Sequence, residues 1–187
     1  LDITYHNFDE NLGSQSLVLH WRRCLAMTAD ENWISILGDD DVYSDNVVEL
    51  FYSHIDTIME QNCKVVRYAT QVIYQNNNSL SEVITHPEFE SGIDFINRKF
   101  TKQSRSSLSE HFFKSTEIHS KGFVELPLAW HSDDVAIFTY SDHHKAIYSI
   151  NEASVFIRVS DESITGSHQA LQKKSLATQE FILKYIV

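Results

Sequence analysis

The chain has 187 residues, with 15 lysines and arginines against 26 aspartates and glutamates, a formal net charge of −11 at pH 7. That surplus repels a phosphate backbone and argues against nucleic-acid binding, and no apolar run approaches the roughly 20 residues of a membrane helix. Hydrophobic residues make up 42% and aromatics 12%, enough apolar surface for one folded domain over 1–187, while the widely separated Cys24 and Cys63 argue against a disulfide scaffold or zinc site and for a reducing compartment.

In chain order, Ile3-Thr4-Tyr5 reads as part of a strand, so the sequence is expected to be a piece of a longer protein. From Ser16 to Thr28, the apolar positions Leu17, Val18, Trp21, Cys24 and Leu25 follow one helical face. Trp33 to Leu37 is a short apolar run that predicts a strand buried on both faces, ending in Gly38-Asp39-Asp40-Asp41. Ser44 or Asp45 caps a second helix with Val47, Val48, Phe51, Ile55, Ile58 and Met59 on its face.

Lys64 to Tyr74 is β-branched and aromatic and predicts a strand, with 75–79 as its exit turn. Ser91 to Phe100 predicts a helix, and His111-Phe112-Phe113 a strand or a short helix. Gly122 to Trp130 reads as an irregular loop because Pro127 interrupts any ladder. A helix is expected from Ser132 to Ser141, then a hairpin of 146–150 and Ser154 to Val159 turning at Asn151-Glu152. His168 to Val187 is expected to be helical, with Phe181, Ile182, Tyr185 and Ile186 on one face. This alternation argues for an α/β or α+β sandwich.

Three consecutive aspartates after an apolar strand are the strongest chemical feature. Clustered like charges need a partner, and carboxylates suit Mn²⁺ or Mg²⁺ bound together with substrate phosphates. Ligands of open α/β sheets also sit at the carboxyl ends of strands. The bland alternative is a solvated turn that caps the next helix. Asp133-Asp134, after Trp130-His131-Ser132, sits at a helix start, where capping alone explains acidic residues; the chemical alternative is a general base for an acceptor hydroxyl. Of the ten histidines, His131 and His168 neighbour features of interest. With five glycines and no GxSxG, Walker or GxGxxG pattern, serine-hydrolase, P-loop and dinucleotide readings lack support.

Together these residues resemble a family 2 glycosyltransferase of the bacterial surface-polysaccharide type. Asn11-Leu12-Gly13 looks like the loop before the early helix, 33–41 like the strand bearing the DXD motif, 126–136 like the segment of the ED-type base, and 158–165 like the late segment closing over the diphosphate. The resemblance implies a GT-A-like, partial Rossmann-like α/β fold, a mixed sheet flanked by helices, lacking its N-terminal nucleotide-binding strands.

It further implies metal-dependent, inverting transfer of a sugar from a nucleotide-diphosphate donor, a UDP-sugar foremost, to a glycan or lipid-linked glycan hydroxyl. Asp40 and Asp41 would hold the cation, Asp134 with Asp133 would supply the base, and Asp39, Asp41, Trp130, His131 and Arg158 would contact substrate. Gly38 stands where the family has its first DXD aspartate, and Ser160 where it often has a metal-binding histidine, for which His168 is a stand-in. The implied setting is cytoplasmic, peripheral at the inner membrane face, with an exposed sheet edge that favours self-association. A metal-dependent phosphoesterase and a non-catalytic glycan-binding module remain the rival readings.

Overall fold

A computed structural model describes residues 3–77, 79–141, 147–160, 164–166 and 170–187. Its strands are β1 (Trp33–Ser35), β2 (Val42–Tyr43), β3 (Val65–Tyr74), β4 (Ser79–Leu80), β5 (Phe89–Glu90), β6 (His111–Lys114) and β7 (Ile147–Val159). The helices are α1 (Leu17–Leu25), α2 (Val47–Ser53), α3 (Ile55–Glu60), α4 (Gly92–Phe100), α5 (Ser115–Lys121), α6 (Ser132–Tyr140) and α7 (Leu171–Phe181).

The strands form one mixed sheet in the order β1-β6-β3-β7-β2, with β4 added to β3 and β5 to β7. Because side chains alternate across a strand, β3 feeds two cores. Val65 joins Ile34, Phe113 and Ile147 under α1, α4, α5, α6 and α7. Val66 and Tyr68 join Tyr148, Ile150 and Val155 under α2 and α3. The sheet is therefore covered on both faces, as the nearly continuous burial of Val65 to Thr70 requires.

Several expectations hold: α1 and α4 lie within the spans 16–28 and 91–100 read as helical. The structure adds their caps, Ser16 accepting from the Leu19 amide at 3.1 Å and Ser91 from the Asp94 amide at 3.1 Å. The β3 strand, the β6 strand and α6 fall where the residue pattern puts them. Other expectations are corrected. Residues 3–8 form no strand, and Ile3 and Tyr5 are exposed. The strand after α1 is only Trp33–Ser35, and it lies at an edge of the sheet, paired with β6 alone. The second helix is broken at His54 into α2 and α3, and neither Ser44 nor Asp45 is its cap residue, which is Asn46.

The hairpin is absent. Instead, β7 runs unbroken beside β3 in parallel, with a bulge: Tyr68 faces Ile150 and the next residue, Ala69, faces Ser154. The chemistry of Asn151 explains why a turn-like sequence does not turn. Its side-chain amide holds both the N–H and the C=O of His86, at 3.0 and 2.8 Å. Asn46 donates to the Glu152 carbonyl at 3.1 Å, and the Ser44 amide donates to the Ser154 carbonyl at 2.9 Å. Bulged backbone groups thus find partners without a reversal of the chain.

At the C-terminus, Phe181 is buried and Tyr185 half-buried, but Ile182 and Ile186 are exposed, because the chain leaves α7 through a π-turn at Ile182–Ile186. The α5 helix has no counterpart in the sequence expectations; it ends at Gly122, whose φ of +61° suits glycine. Asn78, His143-His144, His168 and Asp161-Glu162-Ser163 lie outside the described residues.

The approach of α4 to α6 depends on the small residue at the start of α4. A Cβ on Gly92 would meet Ser141 Oγ at 2.5 Å and the Phe138 carbonyl oxygen at 3.2 Å. Gly92→Ala should therefore lower stability by roughly 1–3 kcal/mol, as overpacking does; a chemical-denaturation midpoint equal to that of the parent protein would refute the close approach.

Candidate active site

The first acidic motif occupies the loop between β1 and β2, at the carboxyl end of β1. Asp41 is a structural anchor there. Its Oδ2 accepts from Ser109 Oγ at 2.5 Å, and its Oδ1 accepts from the Arg158 amide at 2.9 Å. Ser109 Oγ also accepts from the Gly38 amide at 3.0 Å, and Arg158 Nε approaches the Asp40 carbonyl at 3.4 Å. The loop is thereby tied to the turn before β6 and to the end of β7, which brings Asp40, Asp41 and Arg158 together.

Asp39 and Asp40 are exposed. Partial burial, then the negative charge of Asp41 and of Asp39, raise the Asp40 carboxyl above its ordinary range, and Arg158 only partly opposes this. The absence of a side chain at Gly38 lets the acids gather: a Cβ there would meet Asp41 Oδ2 at 2.9 Å and Asp40 Oδ1 at 3.5 Å. Among the described residues no three His, Cys, Asp or Glu side chains converge into a complete protein cage for a metal. The donor set nevertheless fits Mn²⁺ or Mg²⁺, hard cations that are typically held by one or two carboxylates plus the oxygens of a phosphate ligand. The crowded charge on Asp40 is what such an ion would relieve.

The second motif opens α6. The chain reaches it through a turn at Pro127–Ala129, and the residues Leu128, Ala129 and His131 all adopt positive φ, at +62°, +53° and +71°. Non-glycine residues in that region cost about 1 kcal/mol or more each. What holds His131 there is its ring. It packs against both Phe100 and Phe181, with centroids 5.8 and 4.9 Å away, and those two rings lie 5.7 Å from each other. Its Nδ1 lies 2.6 Å from Asp134 Oδ2, and its Nε2 lies 2.9 Å from Thr178 Oγ1 on α7.

Asp134 is fully buried, and both of its oxygens accept from the Lys99 ammonium. Burial pushes its carboxyl up, but Lys99 and His131 outweigh that and hold it below the usual carboxylate range. Lys99 responds in kind: burial favours its neutral form, and the charges of Asp134 and Asp133 more than offset this, so its ammonium is strengthened. Asp133 is half-buried, and no ion pair engages it among the described residues. Burial, then the adjacent Asp134 charge, push it up to about 6.

His131 and Trp130 belong to this site in different ways. His131 is a buried brace for Asp134, whereas Trp130 is half-buried and carries the Lys174 ammonium 4.8 Å from its ring. Sequence reasoning missed Lys99 and Thr178. Lys99 had a signal: it follows Phe95 by four residues and Ile96 by three, so it lies on the buried face of α4, where an unpaired lysine is rare. Thr178 had none, because its partner is 47 residues away.

No family profile and no curated protein sequence matches the chain. Among solved structures, TarS residues 1–349 from S. aureus in complex with UDP superposes with a TM-score of 0.56 at 11% identity, covering 96% of this chain and 57% of that one. The fold is GT-A-like. A further structure of S. aureus TarS 1–349 aligns at a TM-score of 0.49 and 9% identity, covering 88% of this chain and 53% of that one. TarS is a family 2-type glycosyltransferase, and the likeness extends to the fold: an open mixed sheet flanked by helices. The chain spans 57% of the length of the UDP-bound TarS structure.

The raised carboxyl of Asp133 sets a stability test. A carboxyl raised to about 6 in the folded state, above the ordinary aspartate range, binds protons more readily folded than unfolded. Its contribution is most favourable below pH ~4 and declines as pH rises through about 6. Asp133→Asn should thus raise the melting temperature above pH 6 and have no such effect near pH 4. An equal shift at both pH values would contradict the assigned environment.

Proposed function

We propose that this protein transfers a sugar from a nucleotide-diphosphate donor, a UDP-sugar foremost, to a hydroxyl of a glycan or lipid-linked glycan, with inversion at the anomeric carbon. One observation carries this reading: on a GT-A-like sheet, the two acidic motifs are joined by one short segment. Ser109 binds the first through Asp41, and its neighbours Glu110 and His111 interact electrostatically with Lys99 and Asp134 of the second. The presence of UDP in the TarS structure supports the donor class.

In the proposed reaction the acceptor oxygen forms a bond to the anomeric carbon as the bond from that carbon to the diphosphate oxygen breaks, and the acceptor proton passes to a carboxylate. Asp133 would receive it: it is partly exposed, no ion pair engages it among the described residues, and its carboxyl is raised to about 6. Asp134, assigned the base by resemblance, lies beneath it, and its charge keeps Asp133 basic. Asp40 and Asp41 would hold Mn²⁺ or Mg²⁺, which when bound supplies Lewis-acid neutralisation of the leaving diphosphate. A two-metal phosphoesterase fits less well, since the oxygens of Asp134 already answer to Lys99 and His131.

Two measurements test this. On the whole protein, UDP-sugars with Mn²⁺ should raise the melting temperature and Asp40→Asn should remove that rise; no stabilisation by UDP-, GDP- or CDP-sugars would end the donor assignment. Asp133→Asn should lower kcat by roughly 10²–10⁴ while donor-induced stabilisation persists. Full turnover in Asp133→Asn with loss in Asp134→Asn would return the base to Asp134.

A further inference from the structure

The acidic pair at the start of α6 is reached from α7 by one hydroxyl, that of Thr178, for which the proposed chemistry has no part. Thr178 Oγ1 lies 2.9 Å from the Lys174 carbonyl, one turn back on α7, and 2.9 Å from His131 Nε2. A carbonyl only accepts, and a hydroxyl has a single proton to donate. That proton is directed to Lys174, so Thr178 Oγ1 accepts from His131, and Nε2 carries a hydrogen.

The opposite edge of the ring is equally constrained. His131 Nδ1 lies 2.6 Å from Asp134 Oδ2. Burial opposes the charge of Asp134, but Lys99 and then His131 hold it below the usual carboxylate range, so it is ionised and only accepts. Nδ1 therefore donates as well, which makes the ring a double donor, a cation between α7 and α6. An acceptor at Nε2 is the condition for this, because the hydrogen on one imidazole nitrogen is governed by the partner of the other.

The hydroxyl is not what docks α7. Ala177 and Phe181 are buried in the core beneath that helix, and the Phe100 and Phe181 rings already seat His131. What Thr178 adds is the placement of a hydrogen, and the charges nearby depend on it. Lys99 of α4 donates to both Asp134 oxygens. At Asp133, burial and then Asp134 push the carboxyl up to about 6, while Lys99 and His131 draw it down. Lys174 of α7 sits over the adjoining Trp130 ring, and Glu110 and His111 act on Lys99 and Asp134 from the start of β6.

We propose that Thr178 is a positioning residue for the base: by accepting from His131 Nε2 it keeps Nδ1 a donor to Asp134, and through Asp134 it governs the neighbouring Asp133. The inference deepens the glycosyl-transfer reading and rests on it.

The test compares the whole protein with Thr178→Val, which keeps the branched shape and removes the acceptor, with Thr178→Ser, which keeps a hydroxyl, and with Gln179→Ala, an exposed control on the same helix. Without substrate, ¹³C NMR follows the titration of the Asp133 carboxyl. Loss of the acceptor favours the neutral ring with Nε2 bare, and a carboxyl deprived of a cationic neighbour ionises less readily. The midpoint should therefore move above the parent's value of about 6 in Thr178→Val alone. With Mn²⁺, a UDP-sugar and a glycan acceptor, Thr178→Val should lower kcat about ten- to a hundredfold, shift the acidic limb of the pH profile upward and leave the KM for the sugar donor unchanged. Thr178→Ser should recover both the midpoint and the turnover. A parent-like midpoint in Thr178→Val, parent-like kcat despite a moved midpoint, or no recovery in Thr178→Ser would overturn the proposal. A parent protein that transfers no sugar while the midpoint moves as expected strikes the transfer reading and leaves the coupling of Thr178 to Asp133 standing.

Discussion

The ladder between β3 and β7 is the constraint on which the rest of the structure depends. Ten residues of β3, Val65 to Tyr74, pair in parallel with β7, and a parallel pair is sustained only when both faces are covered. That demand places α1 and α4 to α7 on one side and α2 and α3 on the other. It also aligns the carboxyl ends of β1 and β3 with the end of β7, since β1 and β3 both run antiparallel to β6. The Asp39–Asp41 loop and the end of β7 meet at that rim through Asp41 and the Arg158 amide.

Above the ladder, the chain handles its negative charge in two contrasting ways. At α6 the charge is answered internally: Lys99 pairs with Asp134, His131 hydrogen-bonds to it, and the Phe100 and Phe181 rings pack against His131. At the β1–β2 loop it is left to solvent, with Asp39 and Asp40 exposed. Asp41 is bound by neutral donors, a hydroxyl and a backbone amide, which orient it without cancelling its charge. One site is thereby electrostatically closed, and the other remains a sink for positive charge.

Much of this was legible in the residues because local rules sufficed. The β-branched run of β3 and the apolar spacing of α1 and α4 announce themselves. The failures share a cause, namely that tertiary partners override a local signal. Asn151-Glu152 looks like a hairpin turn, but the His86 backbone and Asn46 supply what a turn would have supplied. The run 33–37 looks like a central strand, yet only Trp33–Ser35 finds a partner, and on one side. Both acidic motifs were visible as composition. The Lys99 to Asp134 pair and the Thr178 to His131 contact were not, because neither lies within one element.

Gly38 constrains which residues the loop can carry. The space a side chain would fill at that position holds the Asp41 carboxylate, and that carboxylate is what stitches the loop to Ser109 and Arg158. A side chain at 38 and the present anchor at 41 therefore compete for the same space. Placing an acid at position 38 would therefore mean rebuilding the stitching as well, so that two residues have to change together.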